Sequence, residues 1–560
     1  MVSMAHRTDS TPQAIPLLYE EKEPSTISSR VQDETKSYDV IIKGIGRSGL
    51  LTIPLRPAPV YKFWKRFAYA FVPQLLRELI WKDHAPQRKQ FSTSYLNGLR
   101  GCTALKVFTF HYMHAFSDSA FQPWGVDEHH RYILELPIIR YFYAGFTSHI
   151  FFGVAGYLMS LRLLKLMDDP DPLSQAKVLS MVSASLFRRG FRLYLPVFVI
   201  TLMTATYIYF GYYEYNRPFL FDHGKYFPGN WNEEKPRQYP TYHEQLRFWG
   251  HEMWELTNVV WERTFYPWHD QHLWSIASEM RASLHLSLCL LMLVQCKPRV
   301  RLVFFTFLTG LYFCWNHWEI WVYILGAMIA QIDIILNDSL QKKKTPLPSS
   351  SEAKLEPMQL ESSPRPTFRR RLLHVPQRLS LKRILSLLRP LGFITAFYLL
   401  SYPIGLTGDG PRPPSPGYNT LNLLIPHWMV RKDKFYPNIG TALLLLLLVR
   451  SNPKTSRWRA FLNSRIPQYM GSINFGFYLV HGPVMHVFGY MVPQGVWWWL
   501  GKDGPNETSD AQWIVGILVG WLPTLVVSLW VADVWTREVE GRCVRVVKAL
   551  EGVCFKGDGR

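Results

Sequence analysis

Cysteine is scarce in this chain: six residues in 560, Cys102, Cys289, Cys296, Cys314, Cys543 and Cys554, with no CxxC pair and no metal-ligand spacing. No disulfide framework or cysteine-held metal is read from them, and most, lying in or beside apolar runs, read as buried, inert thiols. A P-loop and a GxSxG elbow are missing too, which disfavours hydrolysis of nucleotides or esters. The chain shows no repeat of solenoid period and no heptad array. Its start, "MVSMAHRTDSTPQAIPLLYEEKEP", lacks the apolar core of a signal peptide, so the first apolar span is expected to direct insertion.

Acidic residues are outnumbered, 42 Asp and Glu against 62 Lys and Arg, a formal charge of +20. The excess is not gathered on one face, as a nucleic-acid binder requires. It sits in short clusters, "QKKKTP", "FRRRLLH", "SLFRRGFR" and "CKPRVR", each beside an apolar run, as in cytoplasmic loops of a membrane protein. No nucleic-acid partner is expected; the bilayer is. Mean hydropathy is only −0.04 although 48% of residues are hydrophobic, an average of apolar and very polar blocks.

Residues 1–55 read as a disordered cytoplasmic tail, and 56–94 as a basic segment whose "YKFWKRFAYAFVPQLLRELIW" fits either an interfacial helix or a packed soluble one. From 95 to 535, ten spans are long enough for a ~30 Å hydrocarbon layer, some interrupted by polar residues. They run 98–117, 140–161, 193–213, 272–295, 300–316, 318–336, 388–407, 437–450, 469–491 and 513–535. A flexible basic loop (337–387) lies among them, and a basic cytoplasmic tail (536–560) follows. The fold class expected is thus an all-α integral membrane protein of about ten helices around a polar intramembrane cavity. With both termini cytosolic, the even connections are cytoplasmic. The basic loop Asn337 to Arg389 carries twelve Lys/Arg against four Asp/Glu, whereas the opposite-side loop Glu214 to Gln271 has six against nine. The sequon at Asn506 falls on the non-cytoplasmic side, where N-glycosylation would occur.

Ionisable residues inside such spans are costly unless paired, hydrated or lining a cavity. His111 follows Arg100 by eleven residues, ~16 Å along a helix, so an Arg100 at the cytoplasmic interface puts His111 near mid-bilayer. His114 lies one turn on, His149 and His481 reach similar estimated depths, and Glu279 lies two turns below the outer surface. Each also fits a packing or helix-bridging role, and Glu279 fits a partner of Arg281. Together they suggest a polar cavity with a neutral imidazole as general base and a carboxylate to steady it. Arg100, Arg189 and Arg192 form a cytoplasmic cluster suited to phosphate oxygens, or to simple positive-inside anchoring. A long donor with phosphates at one end and a reactive group at the other would span the gap, and a coenzyme A thioester has that shape. A proton-coupled transporter would also explain the histidines but leaves the arginines without a task.

Five segments carry a resemblance. "NGLRGCTALKVFTFH" (Arg100, His111), "SHIFFGVAGYLMS", "RRGFRLYLP" (Arg189, Arg192), "HLWSIASEMR" (Glu279) and "GSINFGFYLVHGP" (His481) occur in order. They resemble the membrane-bound acyltransferase-3 family, the fourth in its fungal-type "LWTIPVEFR" form. The resemblance implies O-acyl transfer, usually acetyl from acetyl-CoA, with no metal, to a hydroxylated small molecule. A terpenoid, polyketide or other secondary metabolite, a glycan or a lipid could be the acceptor. It implies that Arg100, Arg189 and Arg192 hold coenzyme A and that His111 is the base. Glu279 and His481 would assist, with His114, His149, Trp274, Ser275, Asn474 and Tyr478 as cavity candidates. Endomembrane residence, in ER or Golgi, is expected. The chain departs from the family pattern at Ala155, Asn474 and Phe475, where Ser, Ser and Tyr are usual.

Overall fold

The computed structural model describes residues 71–73, 77, 91–117, 132–144, 148–169, 171–214, 223–229, 237–260, 264–344, 381–404 and 416–555. The expected tail 1–55, nearly all of the segment 56–94 and the middle of the loop 337–387 lie outside these residues. Among the described residues all regular structure is helical. The main helices are α1 (Ser94–Met113), α2 (Ser148–Met167), α3 (Pro172–Tyr209), α4 (Tyr242–Leu256), α5 (Trp274–Met292), α6 (Pro298–Cys314) and α7 (Trp318–Lys344). They continue with α8 (Leu381–Leu400), α9 (Phe435–Val449), α10 (Arg465–Val484), α11 (Met491–Trp499), α12 (Asp510–Trp535) and α13 (Gly541–Cys554).

Each of the ten apolar segments overlaps one of these helices, with shifted bounds. Four helical stretches are long and apolar enough by themselves to cross a membrane: Ser148–Met167, Leu173–Tyr209, Trp318–Ser339 and Asp510–Cys554. Polar residues interrupt α1, α5 and α10, among them Arg100, His111, Glu279 and His481. Capping sets several starts: Asp171 accepts from the Leu173 amide, and Ser509 with Gln512 closes a capping box on α12.

Boundaries differ from expectation in ways that matter. The third helix starts at Pro172 rather than 193 and runs 38 residues, ~57 Å, so Arg189 lies well inside it. The second starts at Ser148, so His149 sits in its first turn instead of midway. Helix α1 ends at Met113, which puts His111 in its last turn. The expected C-terminal tail contains α13, joined to α12 through a π-helical turn, Thr536–Glu540, and anchored to α3 by Arg188–Glu551 at 2.6 Å. Of the six cysteines all are free, but Cys314 and Cys554 are exposed rather than buried.

Two helix pairs touch backbone to backbone. A Cβ on Gly101 would fall 2.4 Å from the Gly471 nitrogen, and one on Gly471 would fall 2.2 Å from the Asn97 carbonyl oxygen, so α1 and α10 meet through bare glycine. In the second pair a Cβ on Gly156 would lie 2.0 Å from the Tyr323 oxygen, and one on Gly326 would lie 2.2 Å from the Gly153 oxygen, joining α2 to α7. Both pairs run parallel, as Phe108–Phe477 follows Gly101–Gly471 in one and Tyr157–Asp333 follows His149–Trp318 in the other.

Candidate active site

The α1–α10 pair carries histidine beyond its glycine contact. Ten residues on from Gly101 and from Gly471 stand His111 and His481, their ring centroids 5.3 Å apart. A third imidazole comes from the short 3₁₀ turn Gln271–Leu273 that leads into α5: His272 lies 3.9 Å from His111 and 4.7 Å from His481, ring to ring. One ring nitrogen from each of the three lies within 4.8 Å of the others, a spacing that could also hold a metal ion.

His272 is held at several points. Asp270 Oδ1 accepts from its amide at 3.0 Å and pairs with its Nδ1 at 2.8 Å. The Tyr478 hydroxyl donates to the His272 carbonyl and lies 2.9 Å from Ser275 Oγ. Upstream, buried Glu252 of α4 accepts from the Trp268 amide and sits 3.4 Å from His269 Nδ1, pinning the strap that delivers Asp270. The loop from Glu214 to Gln271, expected either to cover the outer mouth or to rest on headgroups, thus sends its end into the site.

His111, His272, Ser275 and Tyr478 line one cavity of about 770 Å³, counting its open mouth. Its wall includes Arg100, Phe110, His111, Ser148, Phe152, His272, Trp274, Ser275, Glu279, Asn474 and Tyr478. Helix α5 runs back along the same gap that α1 spans, with His272 at its His111 end and Glu279 toward its arginine end. Glu279 accepts from Arg189 at 2.5 Å, and Arg189 also donates to the Tyr323 hydroxyl at 2.7 Å. Arg100 feels both Glu279 and Arg189, and Glu540, on the π turn before α13, feels both Arg192 and Arg100. Two carboxylates thus link the arginines in charge: Glu279 couples to Arg189 and Arg100, and Glu540 to Arg192 and Arg100.

Several expectations change. Glu279 belongs with the arginines rather than near the outer surface, because α5 begins beside His111 and descends from there. Its partner is Arg189, while Arg281 pairs with Glu319 at 2.9 Å. Arg189 and Arg192 part company, the former turned inward and half-buried, the latter exposed. His149 and His114 are buried but do not line the cavity: His149 packs its ring 4.8 Å from Trp318, and His114 caps α1 against the Gly229 backbone. His481 does not itself line the cavity and meets it through His111, His272 and Tyr478. Asn506 is exposed in the turn before α12, where a sequon can be reached. Sequence reasoning passed over Asp270 and His272; an Asp-x-His two residues before "WS" was the available signal.

A family model described as an acyltransferase domain matches residues 93–533. Similar proteins include "O-acetyltransferase PaAT-1" of Phomopsis amygdali, 23% identical over 80% of this chain and 83% of the relative. "Acyltransferase clz18" of Cochliobolus lunatus is 22% identical over 82% of this chain and 95% of its own. "Acyltransferase R4" of a Phoma species is 23% identical over 84% of this chain and 99% of its own. No solved structure matches the chain.

Proposed function

The chain belongs to this acyltransferase-3 family, and from that premise we propose that it moves an acetyl group from acetyl-CoA to a hydroxyl of a small molecule. It is a membrane acyltransferase by family and by its apolar helices; the donor, acceptor and residue roles are the proposal. What carries it is that Arg100 and His111 line one continuous cavity, ~16 Å apart along α1. A pantetheine arm can cross that distance while its phosphates stay at the guanidinium end.

In this reading Arg100 meets the donor's anionic head. Arg189 and Arg192 assist there, exchanging their carboxylate neighbours Glu279 and Glu540 for phosphate. Charge-assisted donors of this kind favour phosphate strongly in a partly dry site. His111 takes the acceptor's proton as its oxygen attacks the thioester carbonyl, C–S cleavage follows, and the sulfur leaves with a proton. His481 packs against the reacting imidazole, while Trp274, Asn474 and the Ser275–Tyr478 pair shape the acceptor's end. A positioned base supplies ~10²–10⁴-fold, and alignment within the cavity must supply much of the remainder. The name of PaAT-1 favours acetyl as the group moved, and the fungal-type motif favours a secondary-metabolite alcohol, with glycans or lipids as competitors. Residence in an endomembrane, with both termini cytosolic, is part of the same proposal.

The test is transfer from radiolabelled acetyl-CoA, in washed membranes, to a panel of terpenoid, polyketide, sugar and lipid alcohols. Acetylated product from the parent chain and none from His111→Ala is the expected result. Near-normal product from that variant, or no acetyl-CoA binding by the purified parent, overturns the proposal.

A further inference from the structure

We infer that Asp270 and His272 form a second acid–base unit of the reaction, seated on the bare backbone of Gly482, and that His272 shares the travelling proton with His111. This rests on the acyl-transfer reading above.

The observation behind it is a close approach. A Cβ on Gly482 would lie 2.7 Å from His272 Nδ1 and 2.9 and 3.0 Å from the two Asp270 carboxylate oxygens. Any side chain at 482 would therefore drive into the Asp270–His272 hydrogen bond, which measures 2.8 Å between two buried groups. Glycine directly after His481 lets α10 present one imidazole to the cluster and a flat seat to the pair beside it. A carboxylate only accepts hydrogen bonds, so the His272 nitrogen facing Asp270 carries the proton and Nε2 is left basic. That ring stands 3.9 Å from His111 and shares the cavity wall with it.

The chemistry closes without another reagent. The acceptor's O–H proton passes to His111 as the new C–O bond forms at the thioester carbonyl. The C–S bond then breaks, its electron pair goes to sulfur, and sulfur takes the proton. In between, an imidazolium sits in an apolar enclosure, where an uncompensated charge is costly. Passing the proton from His111 to His272 Nε2 makes His272 the imidazolium, whose charge Asp270, hydrogen-bonded at Nδ1, offsets. Both imidazoles end neutral. Asp270 acts through His272 and is a positioning residue; His272 touches the reacting proton.

The experiment uses the full chain in nanodiscs with acetyl-CoA and whichever panel alcohol the parent acetylates. Asp270→Asn and His272→Gln should lower kcat by ~10²–10⁴-fold, with acetyl-CoA KM and binding nearly unchanged, the signature of an interaction used in the transition state. Asp270→Glu should recover part of the loss. Gly482→Ala should give the same kcat-selective defect, because it pries the pair apart without removing either group. Parent-like kcat in Asp270→Asn and Gly482→Ala, alongside an inactive His111→Ala, overturns the inference and leaves the acyl-transfer reading standing. So does a loss of acetyl-CoA binding in step with kcat, which marks a structural role. Parent turnover lost to a chelator and restored by zinc makes the imidazoles metal ligands and overturns the proton role. A parent chain that acetylates nothing overturns both.

Discussion

The α1–α10 and α2–α7 pairs use one device for different ends. Both are parallel, both meet through glycine, and both bury a histidine. In α2–α7 the contact falls one to two turns from His149, and the ring packs against Trp318, which also meets Phe152. In α1–α10 the histidines stand almost three turns beyond the Gly101–Gly471 contact, where a third segment brings His272 against both. The seam there fixes the axial register of two chemistry-bearing helices. What a buried histidine does is decided by what faces it, and depth along the helix says little.

The sharpest break in the comparison is chemical. His111→Ala should remove turnover while leaving a folded, acetyl-CoA-binding protein. His149→Ala should keep turnover per folded molecule and cost ~1–3 kcal/mol of stability, read as a lowered melting midpoint. Equal effects on turnover would erase the distinction. Next comes register. Gly101→Ala forces α1 away from α10, and a displacement of about 1 Å at the imidazoles should cost ~10²-fold in kcat. Gly156→Ala, with as severe a backbone clash, should reduce the yield of folded protein but spare the activity of what folds; expression level and specific activity separate the two.

How far these roles were legible follows from where the residues lie. Arg100, His111, Glu279 and His481 interrupt apolar runs, so they stand out in sequence, and the all-helical membrane class follows from the same runs. Asp270 and His272 occupy a polar stretch before a helix, where charge is ordinary, and only the fold shows that the stretch enters the site. His149 was placed too deep because its helix was expected to begin eight residues early, at 140 instead of Ser148. Glu279 was set apart from Arg189 because neither the length of α3 nor the inward start of α5 is written in hydropathy.

Smaller effects should sharpen the arginine end. Arg100→Ala should raise acetyl-CoA KM by roughly 10- to 100-fold, the worth of a lost charge-assisted contact, and exposed Arg192→Ala by much less; titrating the donor against each variant decides. Smallest is a pH effect outside the spans. Burial would raise the Asp433 carboxyl, but Lys434, at 3.0 Å, and Arg431, at 3.1 Å, outweigh it and hold it down at about 2. A depressed carboxyl contributes stability above its unfolded value of about 3.9, lost as pH falls toward 2. Melting midpoints between those limits should fall more steeply for the parent than for Asp433→Asn.

The π-helical turn Met485–Gly489, just after Pro483, has a genealogical consequence. A π turn is an α-helix that has absorbed one surplus residue locally. A single-codon deletion between Met485 and Gly489 would let the ladder heal while α11 and α12 keep their rotational phase. The same deletion ten residues earlier would swing His481 away from its partners. Within the helices from α10 to α13, length variants in natural populations of this gene should therefore concentrate at this turn and at the second π turn, Thr536–Glu540.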